Sequence, residues 1–267
     1  VLKWSKVIMP NIQKLFIYPI KSLGGIEQNK ALALKAGFEN DRRWMLIDDQ
    51  NEFLTQRDIR ELTQFIPSIQ DNVISVRYQD ETIEWEMART EKETINTKVW
   101  DDAAVTLSVD MKIDAWFSDM LQRKVRLVKL KDEMSRTHIN TNGGENLHVS
   151  LADGYPYLIV SEESIELLNN TLESPVSLLH FRPNIVVEAQ VPHEEDLWTE
   201  LRTPHTTFVN VKPCARCQVI NIDPKTGLVS KEPSKTLSTY RKQGNKILFG
   251  SLYKCTKQGV LEVGDEF

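Results

Sequence analysis

Val73-Ile74-Ser75-Val76-Arg77-Tyr78, then a turn at Gln79-Asp80, then Thr82-Ile83-Glu84-Trp85-Glu86-Met87: along both runs apolar and polar residues alternate. Alternation with period two puts every second side chain on one face of a strand. Asn72 before the first run and Gln79-Asp80 after it are turn formers, so the pair predicts an antiparallel hairpin. Outward from it, Lys14-Leu15-Phe16-Ile17, Trp44-Met45-Leu46-Ile47 and Glu52-Phe53-Leu54-Thr55 read as further short strands, the last two joined by an Asp48-Asp49-Gln50-Asn51 turn. Together they predict a small antiparallel sheet or barrel.

Downstream, strands are expected over residues 184–188, 206–211, 218–222 and 260–263, with a turn at Asp223-Pro224-Lys225-Thr226-Gly227. Helices are few. One is predicted over 113–122, where Ile113, Trp116, Phe117 and Leu121 share a face. A second follows Ser161 as N-cap, with Glu162 and Glu163 in its first turn and Ile165, Leu168 and Leu172 as its buried stripe. Pro233 opens a short third helix carrying Leu237 and Tyr240. Residues 128–148, polar and containing Asn140-Thr141-Asn142-Gly143-Gly144, read as a long loop suited to a site. The fold class is mainly β with some α (α+β). Strands and helices do not alternate regularly and no G-x-G-x-x-G or Walker sequence is present, which argues against a doubly wound nucleotide-binding fold.

A length of 267 residues predicts two domains. Lys and Arg number 33 against 38 Asp and Glu, a net charge of -5 with no visible basic stripe, so nucleic acid is not an expected partner. Three cysteines cannot all pair within one chain, which excludes a disulfide framework and points to a reducing, cytoplasmic compartment. Neither a signal-peptide pattern nor a window of about 20 apolar residues is present, so no membrane association is expected. The chain opens Val1-Leu2-Lys3-Trp4 without methionine and stops at Phe267 just after a strand and turn, which reads as a trimmed sequence.

Chemistry concentrates in Lys212-Pro213-Cys214-Ala215-Arg216-Cys217. Two thiols three residues apart, with Arg216 beside Cys217, favour a thiolate. Three chemistries fit, alongside two structural cysteines. A dithiol redox pair usually sits at a helix N-terminus, whereas Gln218-Val219-Ile220 looks β-like. Half a zinc site lacks its other half, since Cys255 stands alone and the histidines at 138, 148, 180, 193 and 205 are scattered. The third is a single thiolate on a soft metal centre, with the other cysteine structural. Phe181-Arg182-Pro183-Asn184, Tyr18-Pro19-Ile20-Lys21-Ser22 and Asp41-Arg42-Arg43-Trp44 place basic and amide groups at strand ends. Beside a thiolate they would make a pocket for an anion and a metal.

The order of those four motifs, with Asp223 to Gly227, Leu248-Phe249-Gly250 and Val263-Gly264-Asp265, resembles the MOSC domain family, and within it the mitochondrial amidoxime-reducing components and their bacterial counterparts. The likeness runs from about Ile12 to the last residue. It implies an N-terminal MOSC β-barrel region, 1–105, whose first strands help build the cofactor pocket, and a MOSC domain, 106–267. It also implies the molybdenum cofactor, a molybdopterin whose metal takes one protein cysteine. By motif position that ligand, the catalytic and metal-binding residue, is Cys217, with Arg216 favouring its ionised form and Cys214 structural.

Lys21, Ser22, Arg42 and Arg182 match positions that bind the cofactor, and Asn184 is expected to bond pterin edge atoms. Asp153, Gly154 and Tyr155 match another contacting stretch; relatives often carry small hydroxyl residues there, so backbone contacts are expected. Ala215 stands where serine is frequent.

The implied activity is reduction of N-hydroxylated substrates (amidoximes, hydroxylamines, N-hydroxylated bases) by oxygen-atom abstraction at the Cys-ligated molybdenum. Electrons would come from a ferredoxin-like domain in cis, or from a flavoprotein or haem protein in trans, to a monomer. No C-x4-C-x2-C cluster spacing is present in the chain itself. Asp153 is the one candidate proton donor, although a loop-capping carboxylate is the plainer reading. Two alternatives stand: a non-catalytic cofactor carrier or sulfur-relay module, and a cofactor-free β domain with a structural C-x-x-C.

Overall fold

The computed structural model describes residues 10–91, 93–132, 134–139 and 146–267. Val1 to Trp4 and Asn140 to Gly144 therefore lie outside the described residues. Among those described, the protein is mainly β, with three α-helices: α1 (Met111–Leu121), α2 (Glu162–Asn169) and α3 (Ser234–Tyr240). None is long and apolar enough to cross a membrane.

The largest sheet runs in the order Glu200–Arg202, Thr207–Arg216, Lys246–Lys257, Tyr157–Ser161, Ile185–Glu188, Asn11–Ile17, Ile26–Gln28. Its last two strands come from the start of the chain. Asn11–Ile17 is antiparallel to Ile185–Glu188, with Leu15 opposite Ile185. Lys30–Leu34 likewise pairs with Gly259–Glu262. One core joins these distant segments: Ile12, Leu15, Phe38, Tyr157, Ile159, Ile185, Phe208, Tyr253 and Phe267 are all buried in it.

A second core lies under a four-stranded sheet, ordered Trp44–Ile47, Arg126–Leu130, Asp102–Ser108, Thr94–Val99, and a meander of Ile66–Gln70, Val73–Tyr78 and Glu81–Glu86. Ile74, Val76, Tyr78 and Trp85, one face of the hairpin that opened the sequence reading, are buried there with Trp44, Leu62, Phe65 and Phe117. Helix α1 supplies Ile113 and Phe117, and the Asp110 side chain caps it by accepting from Lys112 N. Residue 105 lies within the strand Asp102–Ser108.

Four local expectations need correction. Residues 52–55 form a single bridge, Phe53 to Ile47, and no strand. Backbone bonds from Asp48 N to Glu52 O and from Leu54 N to Leu46 O begin a ladder, but Glu52 N is taken by Asp48 Oδ1 and Thr55 Oγ1 turns back to accept from Arg57 N, so it goes no further. Residues 218–222 are not a strand: Gln218–Asn221 is one 3₁₀ turn. Conversely, the strand expected to end at 211 continues to Arg216 and carries the cysteine motif with it. The segment 128–148 also contains strand residues, in Arg126–Leu130 and in the pair Thr137–His138 with Leu147–His148.

The extension past 211 has a physical reason. Glu200–Arg202 pairs with residues 207–209 and Asn210 N bonds Thr199 O, but beyond Asn210 no strand among the described residues pairs with that edge, which tolerates Pro213. Register shifts between Asn210 and Lys212 and between Pro213 and Ala215 interrupt its pairing with Lys246–Lys257. Bulges of this kind re-aim side chains, and here they occur where the strand borders a cavity.

Candidate functional site

All eleven site residues expected from the sequence line one cavity of about 590 Å³: Lys21, Ser22, Arg42, Asp153, Gly154, Tyr155, Arg182, Asn184, Ala215, Arg216 and Cys217. They come from both ends of the chain. The strand Asn11–Ile17 delivers Tyr18 to Ser22, and the turn before Trp44–Ile47 delivers Asp41 and Arg42. The loop before Tyr157–Ser161 brings residues 153–155, and the strand Thr207–Arg216 carries the thiols. Lys212, Lys246 and Arg57 also line it, so among the described residues seven cationic side chains face a single carboxylate, Asp153. That is a concentrated positive field inside a chain of net charge -5.

Tyr18 is the hub of one wall. Its ring lies under the guanidinium groups of both Arg42, at 4.4 Å, and Arg182, at 4.2 Å. Its hydroxyl donates to Pro183 O at 3.1 Å, and burial holds the phenol above its usual range against the pull of the two arginines. Arg42 Nη1 donates to buried Asp41 Oδ2 at 2.5 Å and to Asn184 Oδ1 at 3.0 Å. Arg182 Nη1 donates to Leu23 O at 2.7 Å, and burial lowers that guanidinium to about 10, still charged at neutral pH. Ser22, Arg42, Arg182 and Trp100 all have left-handed backbones, φ of 70°, 50°, 53° and 57°. Non-glycine residues in that region carry strain of order 1–3 kcal/mol. At Arg42 the backbone is held on both sides, N to Tyr18 O at 2.8 Å and O from Leu151 N at 2.9 Å.

Asn184 differs from expectation. Its side chain is 1% exposed and spent on the protein: Oδ1 accepts from Arg42 and from Leu158 N, and Nδ2 donates to Phe16 O. Its Oδ1 thereby positions Arg42. Lys21 is also buried, with Nζ bonded to Leu151 O at 3.0 Å and to Asp153 Oδ1 at 2.5 Å. Desolvation in the cavity wall would raise the Asp153 carboxyl, but the Lys21 ammonium, Arg57 and the bond from Trp100 together outweigh it and hold it well below the usual carboxylate range. Asp153 is thus a poor proton donor at neutral pH. Gly154 and Tyr155 follow it on the wall, with Lys212 Nζ 4.6 Å over the Tyr155 ring.

The thiols are separated by environment. Cys217 is exposed, Cys214 half-buried and Cys255 buried. Arg216, expected beside Cys217, turns to the other sulfur: Nη1 donates to Cys214 Sγ at 3.1 Å and Nη2 to Phe181 O at 2.8 Å. The cation at Cys217 is Arg57, whose Nη2 lies 3.4 Å from Sγ. Arg57 stacks 4.4 Å over Trp100, which packs edge-on to Phe53 at 4.9 Å and donates from Nε1 to Asp153 at 3.3 Å. Sequence reading missed Arg57, Phe53 and Trp100. Trp100 had one available signal, a large aromatic residue at a hairpin tip where glycine or asparagine is usual.

Burial pushes the Cys255 thiol up to about 11. Iodoacetamide is therefore expected to label Cys217 first, Cys214 more slowly and Cys255 only after denaturation, as read by peptide mass spectrometry. Labelling of Cys255 ahead of Cys217 in the native protein would contradict the arrangement.

Among the described residues no group of three or more His, Cys, Asp or Glu side chains could hold a metal ion by itself. What the cavity provides is one accessible thiol, a set of cations and aromatic walls. Such a donor set fits an anionic, ring-containing ligand that brings most of its own metal coordination.

Residues 9–124 match the family model described as MOSC N-terminal beta barrel domain, and residues 146–267 the one described as MOSC domain. The chain is 30% identical over 268 residues to a molybdenum cofactor sulfurase of Solanum lycopersicum, covering 91% of this chain and 33% of that protein. It is 30% identical over 277 residues to mitochondrial amidoxime reducing component 2 of Homo sapiens, covering 95% and 82%. The Bos taurus protein of the same name is 29% identical over 282 residues, covering 95% and 81%. The chain thus spans about a third of the length of the sulfurase and about four fifths of the amidoxime reducing components.

Proposed function

Because the chain belongs to the MOSC family, we propose that its cationic cavity is a molybdenum-cofactor site and that the protein reduces N-hydroxylated compounds there. The observation that carries this reading is one exposed thiol, Cys217, on a wall where seven cations face one carboxylate among the described residues. Cys217 would ligate the metal. Lys21, Arg42 and Arg182 would hold the phosphate, arginine by its two-pronged fork and lysine as a point charge. Ser22, Ala215, Arg216 and the backbone of residues 153–155 would contact the rest of the cofactor, while Asn184 and Asp41 keep Arg42 in place.

When bound, the cofactor supplies two-electron oxygen-atom chemistry that no side chain here performs. The protein's own part is to fix that group, present its open face to substrate and exclude competing reactions. Two domains, 1–105 and 106–267, with the first strands of the former contributing to the cavity, belong to the same proposal. So do a cytoplasmic monomer and an electron donor that is a ferredoxin-like domain in cis, or a flavoprotein or haem protein in trans.

The likeness to a sulfurase supports a second reading, a carrier or sulfur-relay module that holds the cofactor without turnover. Cofactor-loaded protein with an artificial reductant and benzamidoxime separates the two. Formation of benzamidine is the expected result. Loaded protein that produces none over many equivalents of reductant favours the carrier.

A further inference from the structure

One ionic cluster abuts the cavity without any part in gathering an anion: Asp102, Arg136 and His138. Asp102 is 6% exposed and its Oδ2 meets His138 Nδ1 at 2.9 Å and Arg136 Nη2 at 2.8 Å. Arg136, 1% exposed, also donates to Ser150 O at 2.7 Å, to Ala152 O, and to Asp153 O at 3.1 Å. The same guanidinium therefore fixes the Asp102 carboxylate and the cavity loop. Burial alone would raise the Asp102 carboxyl, but the bonds from His138 and Arg136 outweigh it and hold it below its usual range.

An ionised carboxylate only accepts, so the proton between them belongs to His138 Nδ1 and Nε2 is the ring nitrogen left for chemistry. That nitrogen faces Gly154: a Cβ there would come within 3.5 Å of it. The imidazole also packs edge-on to Tyr155 at 5.3 Å, and His138, Gly154 and Tyr155 all line the cavity. Asp153, the other candidate donor, is tied to Lys21 as a carboxylate.

We infer that His138, held by Asp102, is the general acid of this cavity: with both ring nitrogens protonated, its Nε2–H protonates the nitrogen of an N-hydroxylated substrate as its N–O bond breaks and leaves the ring neutral with its proton on Nδ1. The inference rests on the function proposed above. Overall, one N-hydroxylated molecule, two electrons and two protons give one molecule of the parent amine or amidine and one of water. The N–O bond is lost, an N–H bond forms, nitrogen is reduced, and the oxygen leaves as water with the second proton. The electrons come from a one-electron carrier protein. His138 regains its proton from solvent through the cavity mouth.

In cofactor-loaded protein assayed with benzamidoxime and an artificial reductant, His138→Gln should lower turnover roughly 10²–10⁴-fold at unchanged molybdenum and pterin content. Added imidazole should restore part of the rate. In protein free of cofactor, ¹⁵N-detected NMR should place the proton of neutral His138 on Nδ1. Native protein without turnover overturns the proposed function and this inference with it. Native turnover with an unimpaired His138→Gln overturns His138 alone, as does a rate loss that merely tracks lost cofactor, or a proton found on Nε2.

Discussion

Cys217→Ser is expected to reduce benzamidoxime turnover by more than about a hundredfold and to release most of the molybdenum, whereas Cys214→Ser keeps turnover within a few-fold. The two cysteines are three residues apart, yet their surroundings differ in kind. Cys217 lies past the end of the strand, exposed on the cavity and bonded by Arg57. Cys214 lies within the strand, half-buried, bonded by Arg216 and packed beside a core that includes Phe181 and Phe249. Changes one shell outside a metal ligand already cost 10–100-fold, so loss of the ligand itself should cost more. Serine keeps the size of the thiol, which separates ligation from packing. Metal analysis and steady-state rates on both variants check it, and equal losses at the two positions would show that neither sulfur is the unique ligand.

Arg136→Ala should lower folding stability by about 3–5 kcal/mol, because it leaves a buried carboxylate and three carbonyls without their shared donor. In a chain of this size that moves the thermal midpoint down by roughly 6–20 °C. The change also unfastens residues 150–153, so cofactor affinity should fall with it. Removing the charge at both partners, Arg136→Met with Asp102→Leu, should recover only part of the loss, since the carbonyls of Ser150, Ala152 and Asp153 stay unpaired. Calorimetry on both variants reads the difference. A single variant within about 1 kcal/mol of native would mean that water replaces the arginine at little cost.

The alternating runs at 73–78 and 82–87 were legible because one face is buried and the other solvated, which writes the period directly into the chain. Strand 44–47 was also legible, as an apolar run with a strong turn behind it. The 3₁₀ turn at 218–221 was not. Its residues have strand-like composition, and the chain turns there because Ile220 is buried while the strand before it ends at the cavity. The cavity's charge was hidden for a related reason. Its cations stand at 21, 42, 57, 182, 212, 216 and 246, never as a run, and long-range pairings, of the first strand with the strand at 185–188 and of Thr207–Arg216 with Lys246–Lys257, bring them together. Asn184 and Arg216 both line the cavity, but that Asn184 bonds Arg42 and Arg216 bonds Cys214 is not legible in the sequence, because side-chain direction depends on bulges and left-handed turns that composition does not announce.

Molybdenum content and extracted-pterin fluorescence of the native protein, made in a host that synthesises the cofactor, test the central claim most directly. About one molybdenum and one pterin per chain, both lost when Arg42 and Arg182 are changed together to alanine, is the predicted result. Native protein that is folded and free of both, and that takes up neither when incubated with the isolated cofactor, would contradict it.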